Sequence, residues 1–329
     1  MTIPRRKFLQ LAAGAASLPA VSRIASAQAY PTRPVTLVVP FAAGGGSDLL
    51  ARLVAQQLEK RLGKPFLIEN KPGAATTLAA MSVVRAVPDG YTLLQATSST
   101  MAINVTMAKH LPYQPLKDLI PVALLSASPF FLVVNPASPV KSVAELVALA
   151  KAKPNELNYG SSGPGSMHHL STELFLNLTG TRMTHVPYKS TPQAMNDLIA
   201  GNIQVLFGDA TSTVPLIQQG LVRALAVSTS YRSEAAPEIP TVAEAGVAGF
   251  ETASWQMIVA PADTPHGIVV MLNRAVRAII SDPDVKQELT RRGMGPRVTG
   301  SPDELNAFVS AEILRWGPIV QRAGVAASE

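Results

Sequence analysis

Cysteine is absent from the chain. That excludes a disulfide framework, thiolate metal ligands and a cysteine nucleophile, and it leaves no residue for a lipoprotein anchor. Charge is scarce as well, at 15% of 329 residues, and aromatic residues make up 5%. No basic stripe and no alternation of basic with aromatic residues occurs, which argues against a nucleic-acid surface. After the N-terminal segment no apolar run reaches the ~18 residues of a membrane-spanning helix. Apolar residues nonetheless make up 47% of the chain, a globular composition with ample core.

The N-terminal segment has three parts. Arg5-Arg6-Lys7 precedes Phe8-Leu9, an apolar stretch runs from Leu11 to Val21, and Ala25-Ser26-Ala27 places small residues where a signal peptidase reads. This is the pattern of a signal peptide over residues 1–27, cleaved after Ala27. The paired arginines followed by Phe-Leu point to the twin-arginine route. The bland alternative is an amphipathic N-terminal helix, which Gly14 and Pro19 suit badly. The segment holds four basic residues and no acid, so its removal leaves 24 bases against 22 acids and takes the net charge from +6 to +2. The basicity belongs largely to export, and the expected location is the periplasm.

Beyond residue 30, strand and helix patterns alternate. Val35 to Val39 is a β-branched run, Ala42 to Gly46 a loop, and Leu49 to Leu62 a helix ending at Gly63. A strand over 66–69, a helix over 75–86 and a strand over 91–95 follow. This order implies a parallel sheet with helices on its faces. The apolar stretch 121–134, interrupted at Ser126 to Pro129, suits a strand leaving one lobe for another. A second set follows: helix 142–151, strand 157–159, helix 167–178, strand 183–187, helix 191–200, strand 205–207, a helix to Gln219 and strand 222–227. Residues 255–260 read as a strand returning to the first sheet, and helices over 266–281, 283–292 and 302–317 close the chain. The expected fold is α/β, two lobes with parallel-type sheets around a central cleft. One lobe comprises 28–127 with 250–329, and the other 128–249. Ligands of such sheets bind outside the carboxyl ends of the strands.

The candidate chemistry sits in two glycine-rich loops. Residues 42–48 link a strand to a helix, where main-chain N–H groups and the helix dipole make an anion site; a tight turn is the alternative. No third glycine completes a dinucleotide fingerprint, and no Gly-Lys-Ser/Thr occurs. Gly160-Ser161-Ser162-Gly163-Pro164-Gly165-Ser166 has the same context and offers hydroxyl and amide donors without charge. Pro164 breaks the Gly-x-Ser-x-Gly of a nucleophile elbow. His168-His169 with Glu173 lacks the spacing of a zinc motif, so no metal and no cofactor are expected. A Ser-His-Asp arrangement stays open, because its partners meet only in space. Asp48 and Asp209 each follow a strand and reach either the cleft or a helix N-cap.

These strings resemble one family throughout. Pro40-Phe41-Ala42-Ala43-Gly44-Gly45-Gly46-Ser47-Asp48, Asn70-Lys71-Pro72-Gly73-Ala74 and Pro88-Asp89-Gly90-Tyr91-Thr92-Leu93 look like the Bug receptors, the periplasmic substrate-binding proteins of tripartite tricarboxylate transporters. So do Ser161 to Ser166 with His168-His169-Leu170, His185-Val186-Pro187-Tyr188-Lys189, Pro240 to Gly246 and Ala260-Pro261-Ala262 with Thr264-Pro265. The resemblance covers residues 30–325. It implies a two-lobed type II periplasmic binding protein, a Venus flytrap, that holds carboxylates with main-chain amides, hydroxyls and waters. Carried over, the ligand residues are Phe41, Gly45, Gly46 and Ser47, then Gly73, Ala74 and Ala75, then Ser98 and Ser99, from the first lobe. Ser161, Ser162, Gly163 and Ser166 come from the second, with Tyr188, Lys189 and Asp209 at the ligand's far end. Ala75-Thr76 replaces two glycines usual in the family, and Ser190 replaces a third, so the ligand's identity is not inherited.

The sequence therefore reads as a monomeric, exported receptor without turnover, which captures a small mono-, di- or aromatic carboxylate and delivers it to a membrane permease. The rivals are an exported sensor module presenting its closed form, and a secreted serine hydrolase using Ser162 or Ser166 with His168.

Overall fold

The computed structural model describes residues 30–297 and 300–327; the signal peptide expected over 1–27 lies outside the described residues. The first strand, β1 (Val35–Val39), forms from the β-branched run, and Leu37, Val38 and Val39 are fully buried. Helix α1 (Gly46–Leu62) buries Leu50, Ala51, Val54, Ala55 and Leu58 on one face and ends at left-handed Gly63. Then come β2 (Phe66–Asn70), α2 (Thr77–Val84) and β3 (Thr92–Thr97), a π-helical turn over Ser99–Ile103, and short helices α3 (Asn104–Met107) and α4 (Pro115–Asp118). Strand β4 (Leu119–Ser128) runs through Pro129 into β5 (Phe130–Val134). The second set is α5 (Val143–Ala152), β6 (Asn158–Ser161), α6 (Met167–Thr179), β7 (Thr184–Pro187), α7 (Thr191–Ala200), β8 (Val205–Asp209), α8 (Ala210–Gln218) and β9 (Arg223–Val227). The chain returns through β10 (Ser254–Pro261) and ends in α9 (His266–Ile280), α10 (Pro283–Arg291) and α11 (Pro302–Arg322).

Two five-stranded sheets result, ordered β2-β1-β3-β10-β4 and β7-β6-β8-β5-β9. Both are of the expected parallel type in β1, β2, β3 and in β6, β7, β8, and each is mixed by one reversed strand. In the first, β10 pairs antiparallel with β3 and β4; in the second, β5 pairs antiparallel with β8 and β9. The reversed strand in each sheet is the one that has just crossed from the other. A strand that continues straight through the crossing enters the second sheet pointing away from its carboxyl edge, so it runs against its neighbours.

The helix expected over 75–86 starts only at Thr77, because Ala74, Ala75 and Thr76 have φ of +44°, +46° and +78°. The last helix runs past Pro318 to Arg322, beyond the expected end at 317. Proline inside a helix costs about 3 kcal/mol. Here burial of Trp316, Ile319 and Val320 offsets it.

Helix α11 packs on β4 and also on α6 of the second sheet, so it ties the two halves together. Its anchor is Glu312, which is buried and accepts from Trp255 Nε1 at 2.7 Å, Trp316 Nε1 at 3.0 Å and Arg315 at 3.2 Å. A capping box of Ser301 and Glu304 starts the helix. Glu312→Ala strands two buried indole donors and is expected to destabilise by about 2–5 kcal/mol. Glu312→Gln keeps an acceptor and is expected to lose less than about 2 kcal/mol. Denaturant unfolding followed by tryptophan fluorescence measures both; equal losses would remove Glu312 as the anchor.

Candidate functional site

Every loop expected to carry the site leaves the carboxyl end of a strand: 41–47 after β1, 73–76 after β2, 98–99 after β3, 162–166 after β6, 188–189 after β7, and Asp209 at the end of β8. Contacts join the two sets. A Cβ on Gly46 would lie 3.5 Å from Met294 Cε, and one on the neighbouring Gly293 would lie 2.6 Å from Thr211 N, at the start of α8. On the other side Gly165, at φ +71°, packs directly against Met107 Sδ, and any side chain there would collide with it.

In the first set, Gly45 is the N-cap of α1 and contributes no side chain. The N–H groups of Gly46, Ser47 and Asp48 precede the first intrahelical donor, Leu49, which bonds Gly45 O at 3.0 Å. The loop is braced from below. Asp48 is buried, and its Oδ2 accepts from Gly44 N at 2.9 Å and Arg52 Nε at 2.8 Å. Its Oδ1 accepts from Asn70 Nδ2 at 3.0 Å, and Asn70 also reaches Phe41 O at 2.9 Å. Hydrogen bonding from Arg52, more than offsetting burial, holds the Asp48 carboxyl at about 2. Asp48 is thus neither the cap nor a cleft residue but the strut of the loop. Gln95 Nε2 donates to Ser47 O at 3.0 Å and to Gln256 Oε1. The Phe41 ring stands exposed at the rim.

The second loop carries three consecutive left-handed residues without glycine, a conformation costing about 1–3 kcal/mol at each. Side chains pin it. Asn104 Nδ2 donates to Ala75 O at 2.8 Å, and Thr100 Oγ1 donates to Thr76 Oγ1 at 2.9 Å. The hydroxyls of Ser47, Ser98 and Ser99 have no partner among the described residues. The first side therefore holds unpartnered donors, with Ser47 and Ser99 half-buried and Ser98 buried.

The serines of the second side are committed. Ser161 Oγ lies 2.6 Å from His185 Nε2 and 3.1 Å from Gly163 N. Ser166 donates to Gly163 O at 2.7 Å and caps α6 by accepting from His169 N at 3.3 Å. Ser162 Oγ lies 2.8 Å from His168 Nδ1, and His168 Nε2 lies 3.1 Å from Asp209 Oδ1. Asp209 occupies the N-cap position of α8, yet its side chain makes no cap. Burial raises its carboxyl, but His168 and Thr191 more than offset this and hold it below the ordinary range. Tyr188 turns its hydroxyl away to Asp197 Oδ2 at 2.6 Å, and Lys189 is exposed, with its N–H bonded to Gln193 at 3.2 Å.

Ser162, His168 and Asp209 thus have the connectivity of a hydrolytic triad, with the imidazole reversed. The oxyanion site is missing from this loop. Gly163 N–H is spent on Ser161, position 164 is proline, Gly165 N–H goes to His169 Nδ1 at 3.1 Å, and Ser166 N–H goes to Gly163 O at 3.2 Å. The two adjacent histidines also part company. His168 joins Ser162 and Asp209, whereas His169 stacks on His185 at 4.0 Å with Glu173 3.8 Å from its Nε2. An apolar cavity of about 420 Å³, bounded by Val134, Val140, Leu146, Leu157, Ile203 and Val205, lies at the opposite end of the second sheet. No charged side chain lines it.

The sequence reading missed Asn70, Gln95, Gln256, Thr100, Asn104 and His185. Two of them carried a signal: Gln95 and Gln256 are polar residues inside buried strands.

A family model described as the tripartite tricarboxylate transporter family receptor matches residues 50–325. Protein BugT of Bordetella pertussis is 35% identical over 300 residues, covering 91% of this chain and 92% of that one. Among solved structures, R. palustris Rpa4515 with adipate is 41% identical with a TM-score of 0.77, covering 90% of this chain and 99% of that one. MatC from Rhodopseudomonas palustris with bound malate is 36% identical with a TM-score of 0.73, covering 88% and 100%.

Burial, and to a lesser degree the neighbouring His185, depress His169 to about 4. Burial depresses His185 as well. In the unfolded chain both take up protons near the ordinary histidine value of about 6.5, so the unfolded state binds more protons between there and about 4. Stability is present above that window and is lost as pH falls through it, ahead of the effects of Asp48 and Asp209. The melting temperature is expected to fall steadily from about pH 7 to pH 4.5, and His169→Asn, which retains an acceptor for Gly165 N–H, is expected to flatten the fall. An unchanged slope in the variant would contradict this assignment.

Proposed function

This chain belongs to the tripartite tricarboxylate transporter family of receptors, and we propose that it captures a small carboxylate between two lobes, without turnover, and delivers it to a membrane permease. It has the α/β two-sheet fold of the periplasmic binding proteins. The reading takes 28–127 with 250–329 as one lobe and 128–249 as the other, a division that the membership of the two sheets supports. It also takes the protein as exported to the periplasm, with residues 1–27 removed. Among the described residues no helix is long and apolar enough to cross a membrane.

The observation that carries the proposal is the unpartnered donor set at the carboxyl ends of β1 and β3. The N–H groups that open α1 and the hydroxyls of Ser47, Ser98 and Ser99 bind an anion without a fixed counter-charge, as helix N-termini do. Adipate and malate in the two similar structures support the ligand class. A hydrogen bond to a charged group contributes about 1.5–3 kcal/mol, so a few such bonds, less the cost of ordering, are consistent with micromolar capture. Closure brings the second lobe onto the ligand by hinge motion.

Thermal-shift screening against mono-, di- and aromatic carboxylates tests the class. A ligand at a hundred times its Kd is expected to add about 2.7 kcal/mol. Ser47→Ala and Ser98→Ala are each expected to weaken the best ligand about tenfold with the fold intact. Ester turnover lost on Ser162→Ala, or a shift by sugars or cations but by no carboxylate, would overturn the proposal.

A further inference from the structure

The two sides of the cleft differ in hydrogen-bond polarity, and the difference bears on which carboxylate fits. Asp209 is the starting point. Its side chain remains 42% exposed at the carboxyl end of β8 while His168 Nε2 sits 3.1 Å from Oδ1. An ionised carboxylate only accepts hydrogen bonds, so Nε2 carries the proton. A neutral imidazole protonated at Nε2 has a bare lone pair at Nδ1. In that neutral form Ser162 Oγ, 2.8 Å from Nδ1, donates its one proton to the ring, while Thr191 Oγ1 lies 3.4 Å from Nε2 beside Asp209. The tautomer is assigned from this network. With its proton spent, the half-buried Ser162 oxygen is only an acceptor toward anything else, and so is the Asp209 carboxylate.

We propose that the Asp209–His168–Ser162 array makes the second-lobe end of the cleft an acceptor site, which selects a carboxylate carrying a hydroxyl or ammonium donor at its far end over a matched dicarboxylate. This rests on the receptor reading above. The ligand's carboxylate lies on the first-lobe donors, and its donor faces Ser162 and Asp209. A second carboxylate placed there would meet lone pairs and a like charge, a repulsive element of the kind specificity requires. The opposing cation is Lys189, which is exposed and has no ion pair among the described residues. Its contribution is separable, because it sits after β7 and does not touch the array.

Calorimetry near pH 8 on the mature protein provides the test. The probes are two series, of malate and adipate length, in which one carboxylate is retained and the other is kept or replaced by a hydroxymethyl or an aminomethyl group. The wild type is expected to bind the best donor-bearing monocarboxylate at least about tenfold more tightly than its dicarboxylate, the size of one charge-assisted hydrogen bond. Asp209→Asn is expected to shrink that ratio about tenfold, chiefly by tightening the dicarboxylate, and Ser162→Ala to shrink it less. A wild type that prefers dicarboxylates, with the preference lost in Lys189→Ala, would overturn the inference and leave the receptor reading standing. Failure of every carboxylate to bind would sink the receptor reading itself. The nitrogen-15 shifts of His168 in the unliganded wild type give an independent reading: an Nε2-protonated ring is expected, and an Nδ1-protonated ring would overturn the inference whatever the variants do.

Discussion

Ser228 holds together the two segments that pass between the sheets. Its N–H donates to Phe130 O at 2.8 Å, its hydroxyl accepts from Phe130 N at 2.9 Å, and the same hydroxyl donates to Thr252 O at 2.7 Å. A third segment joins at Gly295, whose carbonyl accepts from Ala127 N at 2.9 Å. With these crossings stitched side by side, β5 and β10 must each enter the opposite sheet antiparallel. The remaining strands of each sheet then point their carboxyl ends toward the same gap. Everything at the site follows from that arrangement, because loops at carboxyl ends lead into helix starts, where main-chain donors are free.

The two sides spend those donors differently. In the first lobe, buried and half-buried side chains do the bracing. Asp48, Asn70 and Gln95 hold the loop from beneath, so the N–H groups opening α1 and the nearby hydroxyls are left over. In the second lobe, the loop holds itself together with its own donors: Ser161, Ser166 and the amides of Gly163 and Gly165 are all internally bonded. The histidines beneath complete that bonding, which ties the shape of the loop to neutral imidazoles. One side therefore suits an anion, and the other presents oxygen acceptors around Asp209.

Much of the architecture was legible because it is local. The β-branched run Val35–Val39, the helix Met167–Thr179 and the helix Thr191–Ala200 follow from periodicity and caps. Strand direction in the mixed sheets was not legible, since only the paired crossings set it. The last helix runs past its expected end at 317 because tertiary burial of Trp316, Ile319 and Val320 overrides the local penalty of Pro318. At the site, the glycine and serine loops were readable as loops at strand ends, and their place follows from the α/β rule. Which hydroxyls are free was not readable: Ser98 and Ser162 look alike in sequence, and only the position of His168 separates them. The left-handed turn at Ala74–Thr76 was hidden too, because alanine and threonine favour helix or strand and adopt it here under the hold of Asn104 and Thr100.

The most direct measurement is a crystal structure of the mature protein with its best carboxylate. The account predicts a ligand carboxylate within hydrogen-bond distance of the Gly46 and Ser47 amides and of the Ser98 or Ser99 hydroxyl, with no lysine or arginine in contact. A carboxylate paired with a cationic side chain, or a ligand seated away from these loops, would contradict it.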